Sequence, residues 1–183
     1  MSLRIAHLLL LLALLLPAAP QVHADPTGID MVELRVEPDA TVLYCHLALA
    51  GDRQRLEGLL DDGMELTFRW DIAIEGHRRY WLNKSIGNVT IERRVVPDLV
   101  SRSFLLIDAT NGINRRVAAR DEAIEFLLHL RHFPLLDRAL LQSGGRYRLT
   151  AELSMQAGNE ESGWFARWWG SDERSGSVDF SLP

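Results

Sequence analysis

Eleven residues starting at Met64 alternate without interruption. Met64, Leu66, Phe68, Trp70, Ile72 and Ile74 are large and apolar, and Glu65, Thr67, Arg69, Asp71 and Ala73 stand between them. A period of two belongs to a strand, where successive side chains point to opposite faces; a helix would scatter these six apolar groups around its circumference. One face must therefore be covered by a second layer while the other meets water, which is the habit of antiparallel sheets. The pattern recurs after the Ser143-Gly144-Gly145 turn, where Tyr147, Leu149, Ala151, Leu153 and Met155 alternate with Arg148, Thr150, Glu152 and Ser154. Weaker strands are expected over 32–36, 41–49, 89–96, 104–108, 113–117 and 178–182. Asn111-Gly112 reads as a two-residue hairpin turn, since both residues tolerate positive φ. About eight short strands separated by turn residues predict a mainly β chain: a β-sandwich, immunoglobulin-like or similar.

Two short helices interrupt the strands. Asp52 is placed to cap the first, which carries Leu56, Leu59 and Leu60 on one face and closes at Gly63. The second is expected over 120–131, with Asp121 and Glu122 in its first turn, where the helix dipole favours acids. Its apolar face is Ala123, Ile124, Phe126, Leu127, Leu128 and Leu130, and Pro134 is expected to stop it.

Residues 1–24 have the three parts of a secretory signal peptide. Arg4 is their only charge, residues 8–16 are a continuous apolar run broken by Pro17 and Pro20, and Val22-His23-Ala24 offers a cleavage site before Asp25. The run is far short of the ~20 residues a membrane-spanning helix needs. Cleavage would leave residues 25–183 as one β-rich exported domain, and Cys45, the only cysteine, leaves it without an internal disulfide. Arginine is frequent while Lys84 is the sole lysine; this reads as the coding bias of a GC-rich bacterium and makes the periplasm the expected compartment. The formal net charge of −5 gives no basic face for phosphates, so nucleic acid is not expected as a partner.

Few residues suggest chemistry. Cys45-His46 resembles a nucleophile beside a base, but neighbours on a strand face opposite ways, and Cys45 shares its side with Leu43, Leu47 and Leu49; a buried structural thiol is the expectation. Glu122, Glu125, His129 and His132 would share the polar face of the second helix, an arrangement better read as a solvated face than as a metal centre. No metal and no cofactor are therefore expected. Arg69, Arg78 and Arg79 could take an anion or carboxylate, with surface ion pairing as the plainer reading. Trp164, Phe165, Trp168 and Trp169 are the densest aromatic group. They lie in an excursion flanked by glycine and acid, and are the candidate partner-binding surface, with peripheral membrane contact as a further use and filling of the sandwich's open end as the plainer reading. G-x-S-x-G, H-E-x-x-H, C-x-x-C and G-x-G-x-x-G motifs are all absent, so no catalytic residue is nominated.

Several short stretches, in order, resemble an uncharacterised exported family of Gram-negative bacteria known only as a domain of unknown function. They are Leu56-Glu57-Gly58-Leu59-Leu60 leading through Gly63 to Met64; Arg79-Tyr80-Trp81; Asp98-Leu99 with Phe104; Asp121-Glu122-Ala123-Ile124; and Gly145 with Tyr147. The resemblance spans roughly residues 50–156. Phe104 stands where a tyrosine is expected, and a Leu-Asp…Leu-Pro stretch expected after the Tyr147 strand is missing. Genes of that family often neighbour a nitrogen-type sensor kinase, so the resemblance implies an envelope or signalling role with such a kinase as partner. The expected function is a non-catalytic interaction or accessory module of the cell envelope. A small-ligand or lipid-binding periplasmic protein is the alternative, and a hydrolase without a recognisable motif comes third. An apolar pocket between sheet and long helix would favour the alternative; a filled core with an exposed aromatic patch would favour the first.

Overall fold

The alternating segment lies where its pattern requires. In the computed structural model, which describes residues 29–78, 82–158 and 174–182, it forms β3 (Leu66–Gly76), flanked on both sides by other strands. Leu66, Phe68, Trp70, Ile72 and Ile74 are all buried, and Arg69 between them is exposed. Burying each of these large side chains contributes about 1.5–3 kcal/mol, which makes β3 the spine of the core.

Nine strands are present among the described residues. Along the chain these are β1 (Asp30–Pro38), β2 (Val42–Ala50), β3, β4 (Lys84–Asp98), β5 (Ser103–Asp108), β6 (Ile113–Val117), β7 (His129–Asp137), β8 (Arg146–Ala157) and β9 (Arg174–Ser181). Helix α1 (Arg53–Asp61) separates β2 from β3, and α2 (Arg120–Leu128) separates β6 from β7. The strands form two antiparallel sheets, one ordered β1-β2-β7 and the other β6-β5-β4-β3-β8-β9. The small sheet spans from one edge of the large sheet to its middle. A Cβ on Gly176 of β9 would lie 2.4 Å from Met31 Sδ of β1, and Gly87 of β4 faces Leu136 of β7. Helix α2 packs on β4, β5 and β6, so small sheet and helices together cover the inner face of the large sheet. One continuous hydrophobic cluster runs from Ile29 to Leu182. The mainly β sandwich with two helices is the architecture the alternation predicts.

Helix α1 follows its sequence signals. Asp52 accepts a hydrogen bond from the Arg55 amide at 3.0 Å, Leu56 and Leu60 are buried, and Gly63 ends the turn at φ +79°. Helix α2 does not. It ends at Leu128 instead of 131, and the chain passes directly into β7, a strand that the apolar periodicity concealed. Leu130 and Phe133 fit a helical face as well as a strand face, and long-range pairing decided between them. Opposite β2, Leu130 faces Leu47 and Phe133 faces Cys45. Pro134 therefore does not terminate a helix. It sits in β7, an edge strand of the small sheet, where a residue lacking an amide hydrogen is tolerated.

A buried arginine holds the point where α2 becomes β7. Arg93 of β4 donates from one guanidinium nitrogen to the carbonyls of Phe126 and His129 at 2.8 and 2.6 Å, satisfying acceptors that the end of a helix leaves open. Its Nε donates to Asp108 at 2.9 Å, with the two side chains 9% and 0% exposed. The guanidinium carbon lies 4.6 Å from the Phe126 ring centroid and 5.6 Å from that of Trp70. Burial pushes the Arg93 pKa down, while Asp108 pulls it up. Asp108 also accepts from the Asn111 amide and side chain at 3.0 and 2.7 Å. The β5–β6 connection is consequently a longer turn than a two-residue hairpin: Asp108 pairs with Ile113, and of Asn111 and Gly112 only the glycine has positive φ, +66°.

Candidate functional site

At the end of the large sheet where β3 finishes and β8 begins, two adjoining clefts share His77, Arg78, Arg146 and Tyr147. The larger, about 580 Å³, is completed by Asp179, Phe180 and Ser181 of the β9 end. The smaller, about 190 Å³, includes Lys84, Ile86, Leu140 and Gln142. Tyr147 is the fixed wall between them. Its hydroxyl accepts from the Gln142 amide at 2.6 Å and donates to the Gln142 carbonyl at 3.2 Å, and its ring lies 5.5 Å from Phe180. Only glycine fits at 145, because a Cβ there would stand 2.4 Å from the Tyr147 hydroxyl. The Gly145…Tyr147 pair is thus a packing device that builds this corner.

Charge around the clefts is unevenly satisfied. Asp179 is engaged by Arg148 through two hydrogen bonds, 2.7 and 3.0 Å, and by His77 at 3.4 Å. The Arg148 bonds, with smaller help from His77, hold its carboxyl down at about 2. Arg78, Arg146 and Lys84 have no side-chain hydrogen-bond or ion-pair partner among the described residues. Three cations beside an aromatic wall suit a carboxylate, phosphate or sulfate group. A third cleft, of about 380 Å³, lies between the end of α1 and the β4–β5 turn, but its acids are committed. Asp98 accepts from the Val100 and Ser101 amides at 3.1 and 3.0 Å and meets Arg116 at 2.8 Å, and Asp61 meets Arg120 at 2.7 Å. Asp98 and Leu99 are therefore a turn former and the neighbour against which Gly63 packs.

The residues nominated from sequence separate. Arg78 lines both clefts, whereas Arg69 is bound to Asp71 on its own strand at 3.2 Å, seven residues before the β3 end at Gly76, or roughly 23 Å at about 3.3 Å per residue. Arg79, together with Trp164, Phe165, Trp168 and Trp169, lies outside the described residues. Cys45 is fully buried on the inner face, its thiol pushed up to about 12 by desolvation, and His46 projects from the opposite face. Of the Glu122, Glu125, His129 and His132 set only two members meet: His129 Nδ1 lies 2.9 Å from Glu125, which also pairs with Arg53. Glu122 pairs with Arg115, and because the helix ends at Leu128, His132 lies on the small sheet near Tyr44. Sequence reasoning passed over Arg146 and Lys84. Nothing marks them locally; only the pairing of β8 with β3, and of β3 with β4, brings both beside Arg78.

Fold and cleft define a two-sheet β protein with a cationic corner, in which no described helix is long and apolar enough to cross a membrane. Residues 24–158 match the model of a family described as Domain of unknown function (DUF4390), and the chain belongs to that family. No curated protein and no solved structure matches it.

Proposed function

We propose that this chain is a non-catalytic accessory module of the cell envelope that recognises an anionic ligand group in the two adjoining clefts where β3 ends and β8 begins. The observation that carries the reading is the meeting of Arg78, Arg146 and Lys84, unpartnered among the described residues, around the pinned Tyr147. A cleft of about 580 Å³ falls within the usual range for small-ligand sites. The filled core speaks against a lipid between sheet and helix: Trp70, Ile124 and Leu127 are at most 1% exposed. Export through residues 1–24 would put the module in the periplasm, where the family resemblance implies an envelope partner such as a sensor kinase.

The test is titration calorimetry of the exported protein with citrate and with inorganic phosphate at low salt. Saturable binding is expected that weakens as salt is raised and at least tenfold in an Arg78→Gln/Arg146→Gln variant of unchanged melting temperature. Absence of binding by the wild-type protein, or undiminished binding by the variant, refutes the reading.

A further inference from the structure

The outer face of the small sheet gathers three metal-ligating side chains far apart in sequence. Glu37 of β1, His46 of β2 and His132 of β7 each place one ligand atom within 4.8 Å of the other two. His46 Nε2 lies 2.7 Å from Glu37 Oε2. Around a tetrahedral ion with bonds of about 2.0–2.1 Å, ligand atoms stand roughly 3.3 Å apart. The 2.7 Å separation lies below that value and the 4.8 Å limit above it, so small side-chain rotations suffice.

The backbone places the third ligand. Between the Cys45–Phe133 and Leu47–Leu130 pairs, β2 has one residue and β7 has two, so Arg131 and His132 together oppose His46. This is a β-bulge, a device that re-aims a side chain. His132 takes the strain, with φ at +50°, a region that non-glycine residues occupy only where the surroundings hold them there. Its ring stacks on Tyr44 at a centroid distance of 3.8 Å and an interplanar angle of 12°, and is tilted toward His46 at 5.8 Å. A regular strand would set one residue opposite His46; the bulge sets both Arg131 and His132 there while Leu130 and Phe133 on either side stay buried.

From this juxtaposition we propose that Glu37, His46 and His132 form a binding site for a borderline divalent transition metal, zinc above all. Two imidazoles and one carboxylate are the donor set that suits such ions, with the remaining position left to water or an external ligand. Glu37 contributes the negative charge. Of the neighbouring cations, Arg35, paired in register with His46, is drawn to Glu33 at 3.7 Å, and Arg131, beside His132 in the bulge, is drawn to Glu125 at 3.7 Å. Without metal, His46 donates from Nε2 to Glu37 and accepts the long, 3.4 Å bond from the His132 amide at Nδ1. Coordination through Nε2 requires the other tautomer, so the ion replaces the Glu37 hydrogen bond and the weak His132 contact is given up. The site is independent of the cationic cleft.

Untagged full-length protein, stripped with chelator, is titrated with Co²⁺ followed by visible absorption and with Zn²⁺ followed by calorimetry. One equivalent is expected to bind, with the intense visible bands of four-coordinate Co²⁺, and Zn²⁺ is expected to raise the melting temperature. His46→Gln and His132→Asn should each weaken binding at least tenfold and abolish the Zn²⁺-dependent rise. Their melting temperatures in chelator should stay near wild type, asparagine being tolerant of positive φ. Cys45→Ser and His77→Gln should bind as wild type does. Absence of stoichiometric binding, or binding that survives either histidine substitution, overturns the proposal.

Discussion

Removing either member of the Arg93–Asp108 pair should be among the most damaging single changes available to this fold. Asp108→Ala strips the buried guanidinium of its counter-charge and the Asn111 amide and side chain of their acceptor. Arg93→Met leaves a buried carboxylate and uncovers the Phe126 and His129 carbonyls. With side-chain exposures of 9% and 0%, solvent screening offers little relief, and breaking such a pair costs about 3–5 kcal/mol. For a chain of this size each kcal/mol lowers the melting temperature by roughly 2–4 °C, so each single variant should melt about 6–20 °C below wild type. The double variant Arg93→Met/Asp108→Leu abandons no charge. Its loss should fall short of the sum of the singles by about 2 kcal/mol or more, a coupling in the upper part of the range for contacting residues. Urea unfolding followed by far-ultraviolet circular dichroism gives all corners of the cycle. Single losses under about 1 kcal/mol, or strict additivity, would refute the claim that this pair joins helix α2 to strand β7.

Three further outcomes are expected. Cys45, with its thiol pushed up to about 12 by burial, should resist maleimide at pH 8 in the native state and react with one equivalent in denaturant; fast native labelling would contradict the burial. Hydrogen bonds from Ser101 and then Arg116 hold Asp98 at about 2, as those from Arg148 and His77 hold Asp179. Since unfolded aspartate titrates near 3.9, their stabilisation is complete above that pH and lost as pH falls toward 2. Acid unfolding of an Asp98→Asn/Asp179→Asn variant should therefore be less steep between pH ~4 and ~2 than that of wild type, and identical slopes would count against these bonds. Intact mass of the exported protein should correspond to a chain beginning at Asp25, and a retained apolar 8–16 segment in the membrane fraction would rule out cleavage there.

Much of the architecture is legible in the sequence because it rests on local regularities. The period of two from Met64 to Ile74 can only bury Trp70 and Phe68 together on a strand, and Asp52 with Gly63 brackets α1 by capping chemistry that acts within a few residues. The β7 segment is different. Leu127, Leu128, Leu130 and Phe133 satisfy helical and extended spacing alike, and the choice falls to Arg93, more than thirty residues earlier, which ends the helix, and to β2, which supplies the ladder. The candidate sites depend still more on tertiary structure. Arg78, Arg146 and Lys84 meet because β3 pairs with both β4 and β8, and Glu37, His46 and His132 meet because three strands pair in register and one carries a bulge. Hydrophobic period and end-capping are properties of neighbouring residues and can be read along the chain. The convergence of polar groups depends on register between distant strands, where a single-residue slip would send every side chain to the other face.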